Sequence, residues 1–480
     1  MGLRSVSKAP IHGLLSIDLA CSRLMTFFRS IFASRFKAFA RSMVLGLVVA
    51  MPIEAEELAA LNEQEVMALF FERNLALISG HYNIDRAEAQ TLIASAIPNP
   101  LLNIGFNELS TKTSRFFPRT HKSEDTNALG MSIIVTQLIQ TNGKRQLRTE
   151  SSQYEREAVE TDFKDLIRVL ANTIRKAHYQ LLLTQKNLAF LEANDQNYQK
   201  IVDASRIRLK AGDISETDLV RVEIEELKIR ADLDRAMAMH KSARSELAAL
   251  LSWPEISNTL RVTERWPEVP SALLKPSLDP LIEEAYQSRP DYRAQELRTE
   301  KMETELELSR RLVVPDVTVS GGFIQDSGNV RPYTGTFSIN APIPTWYQFQ
   351  GEVGKAAAEL NTARLALEQI RNSIRADVIA SHARLMATQS IVHRFETESK
   401  ARIEKVREAQ EFAYNQGAIG LIDLLDAERN YTRLMTEYYA ARTDASVAYA
   451  DLMMALGEDV MHHFLETEYQ VTKNRSTSLQ

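Results

Sequence analysis

Residues 63–100 read "EQEVMALFFERNLALISGHYNIDRAEAQTLIASAIPNP", and residues 278–315 read "LDPLIEEAYQSRPDYRAQELRTEKMETELELSRRLVVP". Each stretch has a helical pattern that is interrupted near its middle and ends at a proline. After each come a strand-like segment, a polar loop, a second strand-like segment and two very long helical runs. The order helix, strand, strand, long helix, long helix therefore occurs twice, with matched landmarks 205 to 215 residues apart. This spacing predicts an internal duplication.

The duplication sets the predicted boundaries of a mainly α fold with a small β part. We predict a targeting segment over 1–55, a first repeat over 56–254, a non-helical linker over 255–276, a second repeat over 277–460 and a C-terminal tail over 461–480. The predicted strands are 101–109, 129–140, 316–324 and 335–343. The predicted long helices are 144–211, 215–251, 352–416 and 420–457.

The long helices carry a coiled-coil pattern, because apolar residues recur at alternating spacings of three and four between Ala356 and Ile374. The run from Lys355 to Glu411 contains no residue that breaks a helix, so it predicts an unbroken helix of roughly 85 Å at about 1.5 Å per residue. Such a helix must pack against partners of similar length. The four strands have lengths that suit a membrane, where only a closed barrel is stable. Several copies of the chain would have to pool strands, and a small soluble sheet is the alternative.

The charge is unevenly distributed along the chain. Residues 1–50 hold seven Lys or Arg against one acid, a net of +6, so the remainder carries −12 within the total of −6. A basic stretch precedes the apolar run "MVLGLVVAM" (43–51), and small residues follow as far as Ala55. This is the pattern of a secretory signal, with Met25 or Met43 as alternative starts and a short buried helix as the other interpretation. Asp18, three before the single Cys21, argues against lipidation.

Three segments add to the duplicated order of elements: "PNP" (98–100), "APIPTWYQFQGEVGKAAAEL" (341–360) and "GLIDLLDAERNYTRLMTEYYAARTDASVAYADLMMALG" (420–457). Together they resemble the TolC family of outer membrane efflux proteins, over about residues 60–460. The proline pattern is most similar to the CzcC-type, heavy-metal branch that serves RND pumps. The resemblance implies a homotrimer with a 12-stranded outer-membrane β-barrel, continued by a periplasmic 12-helix α-barrel. It also implies a passive conduit without catalysis or cofactors, fed by an inner-membrane RND transporter and a periplasmic adaptor. A conduit for drugs or for type I protein secretion and a soluble periplasmic coiled-coil scaffold are the alternative functions.

Two helix–turn–helix tips, "KAGDISETDL" (210–219) and "NQGAIGLIDL" (415–424), are the predicted site of adaptor docking or gating. The residues concerned are Gly212, Asp213, Ile214, Ser215, Asp218, Leu219, Gly417, Ile419, Gly420, Leu421, Asp423, Leu424 and Asp426. We expect the glycines to make the turns, and Ile419, Leu421 and Leu424 to contact a partner's tip and the neighbouring helices. For Asp213 and Asp218, helix capping and gating are equally plausible.

A second predicted site is the junction between barrel and helices. It comprises Pro98, Pro100, Pro315, Pro342, Pro344, Trp346 and Gly351. Trp346 and Tyr347 suit an interfacial aromatic belt or packing at the junction. The loops 110–127 and 325–334 are expected to be extracellular, and "SRFFPRTHK" (114–122) suits either contact with outer membrane lipid or an ordinary polar loop.

The sequence contains no enzyme motif of the HExxH, GxSxG or GxxxxGK[ST] type. The pair His462-His463, with Glu466 and Glu468 nearby, is better explained as a solvated tail than as a metal site. We therefore expect neither catalysis nor a resident metal, and no binding of nucleic acid. The net negative charge would concentrate cations in a lumen, although most of the acids simply solvate long helices.

Overall fold

The computed structural model describes residues 60–107, 130–263, 265–274, 277–325 and 334–458. The predicted targeting segment 1–55 and tail 461–480 lie outside these ranges, as do loop 110–127 and most of loop 325–334. Within the described ranges the same order of elements occurs in both halves of the chain.

The first half contains α1 (Glu63–Arg73), α2 (Leu75–Ser95), β1 (Leu101–Asn107), β2 (Gly130–Ile139), α3 (Lys144–Ala211) and α4 (Glu216–Leu250). The second half contains α5 (Asp279–Ser288), α6 (Pro290–Arg311), β3 (Val317–Gln325), β4 (Thr334–Asn340), α7 (Gln350–Arg394), a π turn (Phe395–Ser399), α8 (Lys400–Asn415) and α9 (Leu421–Leu456).

Local sequence explains the interruptions between the short helices. The Asn62 side chain accepts a hydrogen bond from the backbone of Glu65, whose carboxylate accepts one from Asn62 N–H, so a capping box starts α1. Asn74 ends α1 in an extended conformation, and its side chain then caps α2. In the second half Arg289 is extended before Pro290, the conformation that a following proline favours, and α6 begins at that proline.

The four strands form a single antiparallel sheet in the order β1-β2-β3-β4. Each half contributes one hairpin, and the two hairpins join through β2 and β3. In the register, Ile133 of β2 lies opposite Ile104 of β1 on one side and Phe323 of β3 on the other. The outer edges of the sheet, β1 and β4, have no strand beside them within the described residues.

The helices pack in a similar way in both halves. Helix α3 contacts α2, α4, α6 and α9, while α7 contacts α5, α6 and α9. In the first half, Phe70 of α1 packs with Leu182 of α3 and Leu247 of α4. In the second half, Ile282 of α5 packs in the equivalent core with residues of α7 and α9. Each short helix therefore covers the place where the two long helices of its half come together.

Partly buried ion pairs tie the two halves together at this level. Arg175 of α3 contacts Glu63 at the start of α1 at 3.0 Å and Glu458 after the end of α9 at 2.6 Å. Burial disfavours its charge, but the hydrogen bond to Glu458 and the negative charges of Glu458 and Glu63 together outweigh that effect and raise the pKa of the Arg175 guanidinium. The Tyr179 hydroxyl donates to Glu63 at 2.7 Å. Arg175 therefore links the start of α1 to the segment that follows α9.

Three predicted elements differ from the structure. The helix predicted to be unbroken over 352–416 contains the π turn Phe395–Ser399, which i→i+5 bonding produces without any helix-breaking residue. The linker predicted to be non-helical contains two 3-10 turns, Pro254–Asn258 and Ser271–Leu274. The last predicted strand is shorter, ending at Asn340 before the two nearby prolines.

Candidate functional site

The first tip, between α3 and α4, turns on one glycine. Gly212 has a φ of 84°, a left-handed conformation that a side chain disfavours, and its N–H donates to Leu209 O at 3.0 Å. Ser215 then caps α4 together with Asp218. The Asp218 backbone N–H donates to Ser215 Oγ at 3.2 Å, and Ser215 N–H donates back to the Asp218 carboxylate at 3.3 Å. In this structure Asp218 has a capping role, whereas Asp213 is exposed.

The second tip, between α8 and α9, repeats this geometry 205 residues later. Gly417 has a φ of 72°, and its N–H donates to Tyr414 O at 3.0 Å. Asp423 accepts from the Gly420 backbone N–H at 3.2 Å, as Asp218 does from Ser215. Asp426 is exposed and pairs with Arg429 at 3.1 Å, one turn along the helix.

The expectation that Gly420 helps to make the turn is wrong. Its φ is −78° and its ψ is 162°, an extended conformation open to any residue, so Gly417 alone supplies the left-handed conformation there. Gly420 occupies the helix cap position that Ser215 has in the first tip. A glycine cap lacks the side-chain acceptor that serine provides.

The apolar residues of the second tip pack inside the chain. Leu421 and Leu424 are buried, and Leu424 is only 1% exposed. They form one cluster with Tyr198 and Val202 of α3 and with Val222 of α4, while Ile419 packs at its edge. Their predicted contact with neighbouring helices is therefore observed, but Leu421 and Leu424 are not available to a partner protein. Ile422, 53% exposed, is the large apolar side chain that this tip leaves at the surface.

Polar contacts also join the two tips. The Arg208 guanidinium of α3 lies over the Tyr414 ring of α8, 4.3 Å from its centroid. Arg429 of α9 pairs with Glu225 of α4 at 2.7 Å, and Lys228 also bonds Glu225 at 2.7 Å. Burial raises the pKa of the Glu225 carboxyl, but the bonds from Arg429 and Lys228 outweigh it and hold that pKa below its ordinary value. The hairpins are thus fastened by an apolar cluster with a charged pair beside it.

Behind this pair is a cleft between α3, α4 and α9, with a volume of about 530 Å³. Its lining includes Leu191, Tyr198, Ile229, Asp232 and Arg433. The apolar groups therefore share the lining with charges of both signs. The described residues contain no group of three or more His, Cys, Asp or Glu that could hold a metal ion.

The predicted junction is organised by a contact that the sequence did not reveal. Lys144, buried at the start of α3, pairs with Asp316 before β3 at 2.7 Å and donates to Val314 O at 2.6 Å. Asp316 also accepts from the Thr141 N–H at 2.9 Å. Burial raises the pKa of the Asp316 carboxyl, but Lys144 and Thr141 outweigh that effect and hold it below its ordinary value. A charge cluster therefore fixes the change from strand to helix.

The predicted junction prolines mark the ends of the strands. Pro98 O accepts from the Gln137 side chain at 2.9 Å, and Pro315 O accepts from the Thr141 hydroxyl at 2.7 Å. These two carbonyls tie the segments before β1 and β3 to the last residues of β2 and to the segment that follows it. Pro100 directly precedes β1, and Pro342 and Pro344 follow β4. The prolines therefore mark where the sheet meets the helices.

The segment after β4 presents aromatic side chains at the surface. Trp346 is 97% exposed, so it does not pack in the core of this chain. The Tyr347 hydroxyl donates to the Glu352 carboxylate at 2.6 Å and accepts from the Gly351 N–H at 3.2 Å. A Cβ at Gly351 would lie 2.4 Å from the Tyr347 oxygen, so the glycine allows this close approach.

The sheet has two chemically different faces. One face carries mainly apolar side chains, from Leu102, Ile104, Phe106, Met131, Ile133, Val135, Val317, Val319, Phe323, Phe337 and Ile339. The opposite face is mainly polar, with Asn103, Ser132, Thr136, Thr318, Ser320, Thr336, Ser338 and Asn340. The apolar face is open to its surroundings in the single chain, and Phe337 is 71% exposed there. The described part of the chain includes no helix with the length and apolar composition needed to cross a membrane.

These features define a class of protein, one in which two long helical hairpins extend from a four-stranded sheet. A profile of the family described as "Outer membrane efflux protein" matches residues 68–252 and 281–458. The chain belongs to this family. Its members are transport conduits of the Gram-negative outer membrane and are not enzymes.

The individual relatives are distant. The chain is 21% identical over 388 residues to the cobalt-zinc-cadmium resistance protein CzcC of Cupriavidus metallidurans, covering 81% of this chain and 88% of that protein. It is 22% identical over 403 residues to nodulation protein T of Rhizobium leguminosarum bv. trifolii, covering 80% and 83%. Its fold is similar to the crystal structure of the outer membrane protein VceC from Vibrio cholerae, with a TM-score of 0.69 at 16% identity over 82% of this chain and 96% of that one.

Proposed function

We propose that the chain is the outer membrane channel of a tripartite efflux system. It would be a passive conduit that takes substrate, heavy-metal cations in particular, from an RND pump and a periplasmic adaptor to the exterior. The observation that carries this proposal is the sheet, with one exposed apolar face and one polar face. A sheet with lipid on one side and water on the other requires this division.

The open edges of the sheet support assembly of several copies. Unpaired backbone groups on β1 and β4 are unfavourable in hydrocarbon, because no water is present to bond them. Pairing β4 of one copy with β1 of the next would satisfy both edges. Three copies would supply the 12 strands of a barrel, the simplest count for a chain with four.

The duplication also predicts which helices meet between copies. Within one chain, α6 and α9 of the second half pack on α3 of the first half. The equivalent elements α2 and α4 should then pack on α7 and α8 of a neighbouring copy. Exposed apolar side chains occur on each of these elements, among them Tyr82 on α2, Leu227 on α4 and Phe412 on α8. A trimer of this kind would enclose a tube of 12 long helices.

The length and placement of the elements suggest how the tube is used. Helix α3, with 68 residues, is about 100 Å long at 1.5 Å per residue. If the sheet lies in the outer membrane, the tips lie deep in the periplasm, where an adaptor would dock. Gly212, Asp213, Gly417 and Gly420 are exposed at the turns and are available for such contact, as is Ile422.

Heavy-metal cations are the proposed substrate on two grounds. The remainder of the chain after residue 50 carries a net charge of −12, which would attract cations into a lumen. The second ground is the similarity to CzcC, a relative described as a cobalt-zinc-cadmium resistance protein. The chain is also similar to nodulation protein T, so the experiment must distinguish metal cations from a different cargo.

Two experiments test the proposal. After cell fractionation we expect the protein in the outer membrane, extractable only with detergent. Recovery in the soluble periplasm would support a coiled-coil scaffold and contradict the conduit.

Deletion of the gene tests the substrate, and it should lower the growth-inhibiting concentrations of Zn, Co, Cd, Cu or Ag salts. Sensitivity confined to a drug panel would contradict the metal assignment and leave the conduit.

A further inference from the structure

One carboxylate in α9 is buried without a well-formed hydrogen bond. Glu428 is 0% exposed, and neither of its side-chain oxygens has a partner in good hydrogen-bonding geometry, although the Asn197 side chain lies close enough to favour the ionised form. The polar groups that face it are Asn197 and Tyr198 on α3, Arg407 and Glu411 on α8, and Tyr431 on α9 itself. An ionised carboxylate is unfavourable in such a place unless it is paired. The neutral form therefore fits this site.

The first hairpin provides a direct comparison. Glu223 is eight residues after the Ser215 cap, as Glu428 is eight residues after the Gly420 cap. Glu223 is partly exposed and pairs with Arg206 at 3.1 Å. Arg206 precedes Gly212 by six residues, and the residue six before Gly417 is Glu411. The position of an arginine–glutamate pair in the first hairpin is thus occupied by two glutamates in the second.

Within its own chain, the helix that covers Glu428 makes few buried contacts. Helix α8 buries only Tyr414, whereas the last turns of α3 bury Tyr198, Val202 and Ser205. Its main contacts are with α9, where Arg407 lies over the Tyr431 ring at 4.6 Å. Few buried contacts make an element easy to open locally.

The π turn Phe395–Ser399 separates α8 from α7. Tyr438 of α9 donates to Glu396 in this turn at 3.1 Å, and Arg442 pairs with the same carboxylate at 3.4 Å. The turn is therefore fixed to α9 at the point where α8 begins. Such a turn is a natural place for a helix to bend.

We propose that Glu428 is a proton-operated latch, which holds α8 against α9 while its carboxyl is neutral and lets α8 bend away at the π turn when it ionises. Burial raises the pKa of Glu428 and outweighs the other influences: Arg407 and the Asn197 side chain oppose the rise, and Glu411 adds to it. The packed state binds the proton more tightly than the open state does. The latch is therefore closed at low pH and loosens as pH rises from the open-state value, about 4.5, through the raised pKa of the packed state. The link from this bending to channel opening rests on the proposed trimer, in which α8 contacts a neighbouring copy.

Amide hydrogen exchange of the purified full-length protein between pH 4 and pH 8 tests the latch. After correction for intrinsic exchange, we expect protection of Lys400–Asn415 to fall about tenfold per pH unit between the two pKa values, as release of one proton requires. Glu428→Gln, which is neutral and of the same size, should keep high protection at every pH. Glu411→Arg restores the first hairpin's pair and should keep protection at high pH. Glu437→Gln, at an exposed acid on the same helix, should behave as the wild type.

Wild-type protection of Lys400–Asn415 that does not change with pH would overturn the latch, as would a Glu428→Gln variant that keeps the wild-type fall. If Glu428→Gln does not fold, the wild-type and Glu411→Arg measurements decide alone. Conductance in planar bilayers is the second measurement, and we expect it to rise with pH in the wild type but not in Glu428→Gln. No conductance under any condition would count against the conduit, while the exchange result would still decide the latch.

Discussion

Replacing Leu424 with alanine should loosen the contact between the two hairpins. Leu424 is 1% exposed and packs with Tyr198, Val202 and Val222 from the first hairpin. Truncation of a buried leucine costs about 2–5 kcal/mol, from lost burial and from the cavity left behind. At about 1.4 kcal/mol per factor of ten, even 2 kcal/mol corresponds to a roughly 30-fold increase in local opening.

Hydrogen exchange of the tip amides measures this directly. Protection of residues 208–221 and 412–426 should fall by about 30-fold or more in Leu424→Ala. The matched control is Ile422→Ala, two residues earlier in the same helix and 53% exposed, which should change protection by less than about threefold. Equal protection in the two variants would refute the conclusion that the second tip's apolar residues fasten the hairpins to each other.

Three further predictions concern the sheet, the second tip and the junction. Phe337→Arg, on the apolar face of the sheet, should reduce assembly into the outer membrane by a cost of up to about 2–4 kcal/mol, whereas Ser338→Arg on the opposite face should be tolerated, as heat-resistant oligomer on gels would show. Gly417→Ala should destabilise its tip by about 1 kcal/mol or more, because its φ is 72°, while Gly420→Ala should not; limited proteolysis distinguishes them. The lowered pKa of Asp316 contributes stability above about pH 4 that is lost as pH falls through that pKa, so Asp316→Asn should flatten the acid limb of a melting-temperature profile.

The sequence predicted those features that local chemistry controls. Gly212 and Gly417 turn the chain because only glycine adopts their backbone conformation without strain, and that requirement is readable from a single position. Helix α3 spans Lys144–Ala211, the range predicted from its uninterrupted helical pattern. Ser215 and Asp218 form a cap over four neighbouring residues, and the motif is visible in the sequence.

Features that depend on distant contacts could not be predicted. An apolar residue such as Leu421 fits either a partner surface or a core, and only the fold brings it to the first hairpin. Lys144 and Asp316 are 172 residues apart, and no local pattern in the sequence relates one to the other. The π turn has no residue type that distinguishes it from the flanking helix, because it differs only in its backbone hydrogen bonds, which are i→i+5 instead of i→i+4.

The unlike tips indicate where the proposed trimer would be weakest. Within a chain, Leu421 and Leu425 of the second tip bury themselves against the first hairpin. The positions with the same register in the first tip are Glu216 and Val220, and these would face a neighbouring copy. Charge and a smaller side chain give less apolar burial there, and burial is the main favourable term in helix packing. Helix α9 and the first hairpin of one chain should therefore move as a unit, and a tube that opens at its tips should part beside α8, where the neighbouring copy would pack.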